Sequence, residues 1–158
     1  MRTQKRLWIY SGLAVPEGVG LVRANPVIRS AALRRILLVG GSSSENLMLP
    51  MAKLAEAADV ALHVDVDRVS TTRDWAKGDK LTSHLAVFRP NVVFLALDPG
   101  DMLARRCIRA RVRAARAREF WLVPPGVDSP PSARFIRAPK ANAAGYAAWA
   151  ARAWAVVK

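Results

Sequence analysis

The chain carries one cysteine, Cys107. A lone thiol excludes a disulfide framework within the chain and suits a reducing compartment. No apolar run approaches the roughly 20 residues that a membrane-spanning helix requires. The basic start, Met1-Arg-Thr-Gln-Lys-Arg6, has the charge of a secretion signal. The apolar stretch behind it, residues 7–15, is short, is broken by Ser11-Gly12 and lacks a small-x-small cleavage pattern. The expected location is the cytoplasm or the interior of a virus particle, without membrane contact and without export by a signal peptide. Histidine is scarce too. His63 and His84 are the whole supply of imidazole, the side chain best suited to proton transfer near neutral pH. Acids are few: 12 Asp and Glu stand against 25 Lys and Arg, a net charge of +13.

What remains suffices for one folded domain. At 158 residues, 52% of them apolar, the chain can bury a single core. Arginine outnumbers lysine 19 to 6 and alanine is abundant, which a GC-rich genome gives without selection for binding. A basic surface of either origin attracts polyanions in a salt-dependent way, so nucleic acid is one candidate partner.

Residues 1–33 show no sustained period and are punctuated by Pro16, Gly18, Gly20, Asn25 and Pro26. They read as an extended N-terminal arm. Within it, Trp8 and Tyr10 lie beside Leu7 and Ile9, an apolar cluster that must be buried somewhere, so both aromatics are candidate partner contacts. Residues 34–158 alternate short apolar runs with helical patterns. Strands are expected at 35–39, 60–66, 91–97 and 120–123, with a short one at 134–136. Helices are expected at 46–58, 80–88, 102–118 and 143–157. Such alternation implies a three-layer α/β/α domain with a mainly parallel sheet, of the flavodoxin-like kind, its functional loops at the carboxyl ends of the strands.

Three stretches carry a resemblance: Ile36-Leu-Leu-Val-Gly-Gly-Ser-Ser-Ser44, Arg89-Pro-Asn-Val-Val93 and the Gly145-Tyr146 segment of the last helix. Together they resemble the SGNH (GDSL-type) hydrolase family over residues 35–158. The resemblance implies a serine nucleophile after the first strand, at Ser42, or at Ser43 if the register slips by one. It implies oxyanion donors at Ser70 and Gly100, where the family keeps Gly and Asn. It places the catalytic Asp and His at positions occupied here by Arg137 and Lys140. Gly41 stands where the family keeps the Asp of its Gly-Asp-Ser turn. Arginine cannot act as the orienting anion, and an ordinary lysine is protonated and cannot accept the serine proton. The expectation is therefore a degenerate, catalytically inactive member. Esterase or acylhydrolase activity through Ser42, with Lys140 as an unprotonated base, is the alternative. Ser42 also stands three residues before Glu45, the spacing of a helix capping box, and the Gly-Ser turn could hold an anion.

Arginines recur along 102–118, where Ala104, Ile108, Val112 and Ala115 are expected to form the buried stripe. Arg105, Arg109, Arg113 and Arg116 are candidate partner contacts on the outer face, suited to phosphate or carboxylate. Asp65, Asp67, Asp98 and Asp101 fall near strand ends like a Mg²⁺ site, but read as solvated loop acids. No metal and no cofactor are expected. The sequence thus points to a structural or binding subunit of a larger assembly, such as a virus or phage particle, with the arm on a protein partner. A polyanion or nucleic-acid binder is the further alternative.

Overall fold

The computed structural model describes residues 34–128 and 131–157. The arm, with Trp8 and Tyr10, lies outside them. Five strands form one sheet: β1 (Arg35–Gly40), β2 (Ala61–Val66), β3 (Val92–Ala96), β4 (Arg118–Val123) and β5 (Phe135–Arg137). Their order is β2-β1-β3-β4-β5, and every pairing is parallel. Five helices complete the layers: α1 (Glu45–Ala58), α2 (Thr72–Lys77), α3 (Lys80–Phe88), α4 (Met102–Ala114) and α5 (Ala143–Ala155).

The alternation of side chains along β1 assigns the helices to faces. Ile36 and Leu38 join a core with Leu47 and Met51 of α1 and Trp149 and Trp154 of α5. Leu37 and Val39 join the opposite core with Trp75 of α2, Leu81 of α3 and Ile108 of α4. Burial on both faces is why β1 and β3 are nearly continuous apolar runs, while the edge strand β2 can carry His63 and Asp65 half-buried. From β1 the chain moves to one side, towards β2, and from β3 it proceeds to the other. The crevice at the carboxyl ends of β1 and β3 is thus the topological switch point.

Two glycines allow close approach. A Cβ on Gly40 would overlap the hydroxyl of Ser44, and one on Gly145 would overlap the carbonyl of Lys140. The second lets the first turn of α5 sit flush on the preceding loop, where Asn142 caps it through Gly145 N at 2.8 Å. Trp149 Nε1 donates to Ile136 O at 2.8 Å, fastening α5 to β5.

Some elements depart from the sequence expectation. α2 is additional. Thr71 starts it with a capping box in which Thr71 and Asp74 satisfy each other's backbone N–H groups. α4 ends at Ala114 and not at residue 118, because Arg116 adopts a left-handed backbone (φ 58°) and the chain enters β4 at Arg118. Ala115 is consequently exposed, and Ala117 enters the core in its place. β5 starts at Phe135, one residue later than the pattern suggested.

Candidate functional site

At the carboxyl end of β1 the chain turns through Gly41 into a single 3-10 turn, Ser42–Ser44, which leads straight into α1. Ser44 is buried, and its hydroxyl donates to Gly41 O at 2.5 Å. The capping box expected of Ser42 and Glu45 does not form. α1 begins only at Glu45, after Ser44, and the Glu45 carboxylate pairs with Arg68 instead. The interposed turn carries Ser42 out of capping position, so its side chain is exposed along a cleft. Gly41 has ordinary extended geometry (φ −98°, ψ −163°), and a Cβ there would lie 3.5 Å from Ser70 O. The backbone would therefore admit the family's Asp.

The cleft has a volume of about 490 Å³ and occupies the switch point. Ser42 and Ser43 form one wall, Ser70, Thr71 and Thr72 another, and Ala96 to Asp98 the floor, with Arg68, Arg73 and Asp101 at the margins. Thr72 Oγ1 donates to Asp98 O at 2.7 Å, tying α2 to the end of β3. Arg73 meets Asp101 at 3.1 Å while Asp101 also caps α4 through Ala104 N at 3.0 Å. The Ala104 amide and the Arg73 guanidinium hold the Asp101 carboxyl below its usual range, although partial loss of solvent opposes them.

At the two positions expected to supply oxyanion donors, Ser70 and Gly100, the donors are engaged locally or absent. Ser70 N donates to Asp67 O at 3.2 Å inside its own turn, and the Ser70 hydroxyl hydrogen-bonds the Asp67 carboxylate and depresses its pKa. Gly41 N donates to Ala96 O at 3.2 Å. Gly100 has no side chain to offer, and its N–H donates to Asp98 Oδ1 at 2.8 Å. Arg137 and Lys140 are exposed, and neither lines the cleft.

Both imidazoles lie elsewhere. His84 Nε2 and Asp65 Oδ2 are 2.6 Å apart, and the His63 ring centroid is 4.8 Å from that of His84. Burial, reinforced by His84, lowers the His63 pKa. Burial opposes ionisation of Asp65, but the His84 hydrogen bond and the Lys80 ammonium, 2.9 Å away, outweigh it and leave the pKa lowered. Lys80 also lies 3.7 Å from Asp67 and over the Trp75 ring. The four aspartates flagged in the sequence are therefore split among ion pairs, turns and a cap. Among the described residues no group of three or more His, Cys, Asp or Glu is placed to hold a metal ion.

The candidate arginines of α4 divide. Arg105 is buried, donating to Pro99 O at 3.2 Å with its guanidinium over the Phe135 ring. It is thus withdrawn from the outer face on which the sequence placed it. Its spacing to Ile108 and Val112 puts it on the inward stripe. Arg109 and Arg134 share the buried carboxylate of Glu119, at 2.9 and 2.6 Å. Arg113 and Arg116 are exposed. Arg68, in a loop, and Arg73, in α2, reach the cleft margins without a motif to mark them; no sequence signal identifies an arginine that folding carries to a strand end.

The fold and crevice define a doubly wound α/β domain with its site at the strand ends. No family model and no curated protein matches the chain. Among solved structures it is similar to the psychrotrophic esterase EstA from Pseudoalteromonas sp., in a form inhibited by monoethylphosphonate. That match has 15% identity and a TM-score of 0.47, and covers 75% of this chain and 70% of the other. It is also similar to a GDP-L-fucose synthetase from Naegleria fowleri bound to NADP, with 10% identity and a TM-score of 0.39. This second match covers 72% of this chain and 40% of the other.

Proposed function

We propose that the chain is a binding or structural subunit of SGNH-hydrolase type, that hydrolysis has been lost from its strand-end cleft, and that the arm of residues 1–33 contacts a protein partner in a larger assembly. The observation that carries this reading is the setting of Ser42. Its hydroxyl borders the cleft, and among the described residues that line it there is no imidazole and no amine. A serine needs a base to remove its proton and donors to stabilise the oxyanion. Asp101 is a poor base, because its carboxylate is stabilised by a helix N-terminus and by Arg73. The backbone donors at Ser70 and Gly100 already serve local turns, and that of Gly41 bonds Ala96 O at the end of β3. Loss of one oxyanion donor typically costs ~10²–10³ in rate, before the missing base is considered.

A panel of short-chain p-nitrophenyl esters, run on the protein and on Ser42→Ala, tests the proposal. Equal background rates are expected for the two proteins. Turnover that disappears in Ser42→Ala would overturn it. For the arm, light scattering of the full chain and of a Trp8→Ala, Tyr10→Ala variant is expected to show loss of assembly in the variant; identical monomers would count against a role in assembly.

A further inference from the structure

The carboxyl edge of the sheet mixes acids with cations such as Arg68, Arg73 and Lys80, whereas the amino edge is mainly cationic. At the carboxyl edge, loops and caps carry Glu45, Asp67, Asp74, Asp79, Asp98 and Asp101. At the amino edge, where α3 and α4 end and β1, β3 and β4 begin, stand Arg35, Arg89, Arg116 and Arg118. The described acids at that end are Glu56 and Asp59, beside the outer strand β2, and Glu119, which is buried between Arg109 and Arg134. Arg35 and Asn91 exchange backbone and side-chain hydrogen bonds, and Arg118 N donates to Asn91 O, so β1, β3 and β4 start side by side. The Cα atoms of Arg35 and Arg118 are two strand spacings, roughly 10 Å, apart; the register turns Arg35 to the face of α3 and α4 and Arg118 to the face of α5, where it lies over the Phe120 ring.

Two of these arginines occupy unfavourable backbone. Arg89 and Arg116 have φ of 51° and 58°, each just beyond the end of a helix. That position suits Gly or Asn, because a Cβ crowds the following carbonyl. A helix C-terminus attracts a cation, which accounts for some positive charge here. It does not account for Arg35 and Arg118 on the strands, nor for keeping a side chain where glycine would relieve the backbone. Among the described residues no hydrogen bond or ion pair engages the guanidinium of Arg89 or Arg116. Arg35 Nε is buried at this edge with no hydrogen-bond partner.

Between α3 and the end of α4 lies a groove of about 590 Å³, floored by Leu85, Ala86 and Ala114 and flanked by Arg89 and Arg111. The arm joins the domain at this same edge, at Arg34, and its 33 residues include Arg2, Lys5, Arg6, Arg23 and Arg29 against the single acid Glu17. We propose that the amino edge of the sheet, with this groove, is a docking surface for the phosphodiester backbone of a nucleic acid. Guanidinium forks grip phosphate in a bidentate way; those of Arg89 and Arg116 are without a partner among the described residues, while Arg118 lies over the Phe120 ring and Arg111 donates to Gly78 O at 2.7 Å. A membrane surface fits less well. Of the exposed large apolar side chains among the described residues, Val69, Met102 and Leu103 stand at the opposite edge, Leu49 is in the first half of α1, and Val87 is near this one. The proposal does not depend on the fate of Ser42.

The test is fluorescence anisotropy of a labelled oligonucleotide, single-stranded and duplex, with the full chain between 50 and 200 mM salt. The edge variant is Arg89→Gly, Arg116→Gly, Arg118→Ala. The control of equal charge is Lys53→Ala, Lys77→Ala, Lys140→Ala, all exposed positions away from this edge. The edge variant is expected to lose at least tenfold in affinity at 100 mM salt. Its log–log salt slope is expected to shallow by about 2 to 3, since each neutralised phosphate contributes about 0.7–0.9. The control should lose less than about threefold. Arg89→Gly and Arg116→Gly alone should keep or raise the melting temperature, by up to about 2–4 °C each, because they relieve left-handed backbone. Equal losses in the two triple variants would reduce the effect to general attraction and overturn the proposal. So would binding to phosphatidylserine vesicles without binding to the oligonucleotide.

Discussion

Gly145→Ala is expected to weaken the fold, although alanine is the better helix former. In an open helix the exchange gains about 1 kcal/mol. Here the new methyl would overlap the carbonyl oxygen and carbon of Lys140, which are backbone atoms and cannot swing aside like a side-chain tip. Forcing a methyl into such contact costs about 1–3 kcal/mol. Any shift of the turn also strains the Asn142 cap on Gly145 N, a bond of 2.8 Å worth about 1 kcal/mol. The net expectation is a loss of about 2 kcal/mol, or roughly 4–8 °C in melting temperature for a domain of this size. Gly41→Ala is the internal comparison, because its Cβ would meet Ser70 O at 3.5 Å, an ordinary contact. It should lie within about 0.5 kcal/mol of the parent, or be slightly stabilised. Urea unfolding followed by tryptophan fluorescence reads both, with α5 reporting through Trp149 and Trp154. If Gly145→Ala proves as stable as the parent at unchanged m, the close approach of α5 to its preceding loop is wrong.

Glu119→Ala should destabilise by about 2 kcal/mol in the same assay. It removes a buried carboxylate shared by Arg109 and Arg134, yet both guanidiniums are partly exposed and can be hydrated once released. An unchanged midpoint would show that the pair contributes nothing. His63 predicts a pH dependence. Its folded pKa is below the unfolded value of about 6.5, so the neutral ring's contribution is present above that value and is lost as pH falls through the folded pKa. The ring faces His84, Asp65 and Phe88. Stability should therefore fall as pH is lowered from about 7 towards 5, and His63→Gln should flatten that fall. An identical pH profile in the variant would refute the assignment.

Much of this architecture can be read directly from the chain, for physical reasons. β1 and β3 are buried on both faces, so they must be apolar runs, and they are recognisable as such. α2 leaves no periodic signal, because it is a single short helix with only Thr72, Trp75 and Ala76 buried. Its Thr71-x-x-Asp74 capping box was the available signal. The end of α4 was invisible because Arg116 takes a conformation that glycine usually announces. The charge of Arg105 suggests an outer face, but the period that buries Ile108 and Val112 also turns Arg105 inward. At Ser42 the Ser-x-x-Glu spacing was present, but one 3-10 turn moved the helix start and left the hydroxyl beside the cleft. The cleft margins, Arg68 and Arg73, follow only from the sheet order, which no local pattern encodes.

Intact-mass spectrometry after exposure to a fluorophosphonate probe, on the protein and on Ser42→Ala, asks most directly whether Ser42 is an unactivated hydroxyl. The expected result is no adduct on either protein beyond a trace that both share. A stoichiometric adduct on the parent that vanishes in Ser42→Ala would mean that a base and an oxyanion site are at work, and the proposed loss of hydrolysis would be untenable.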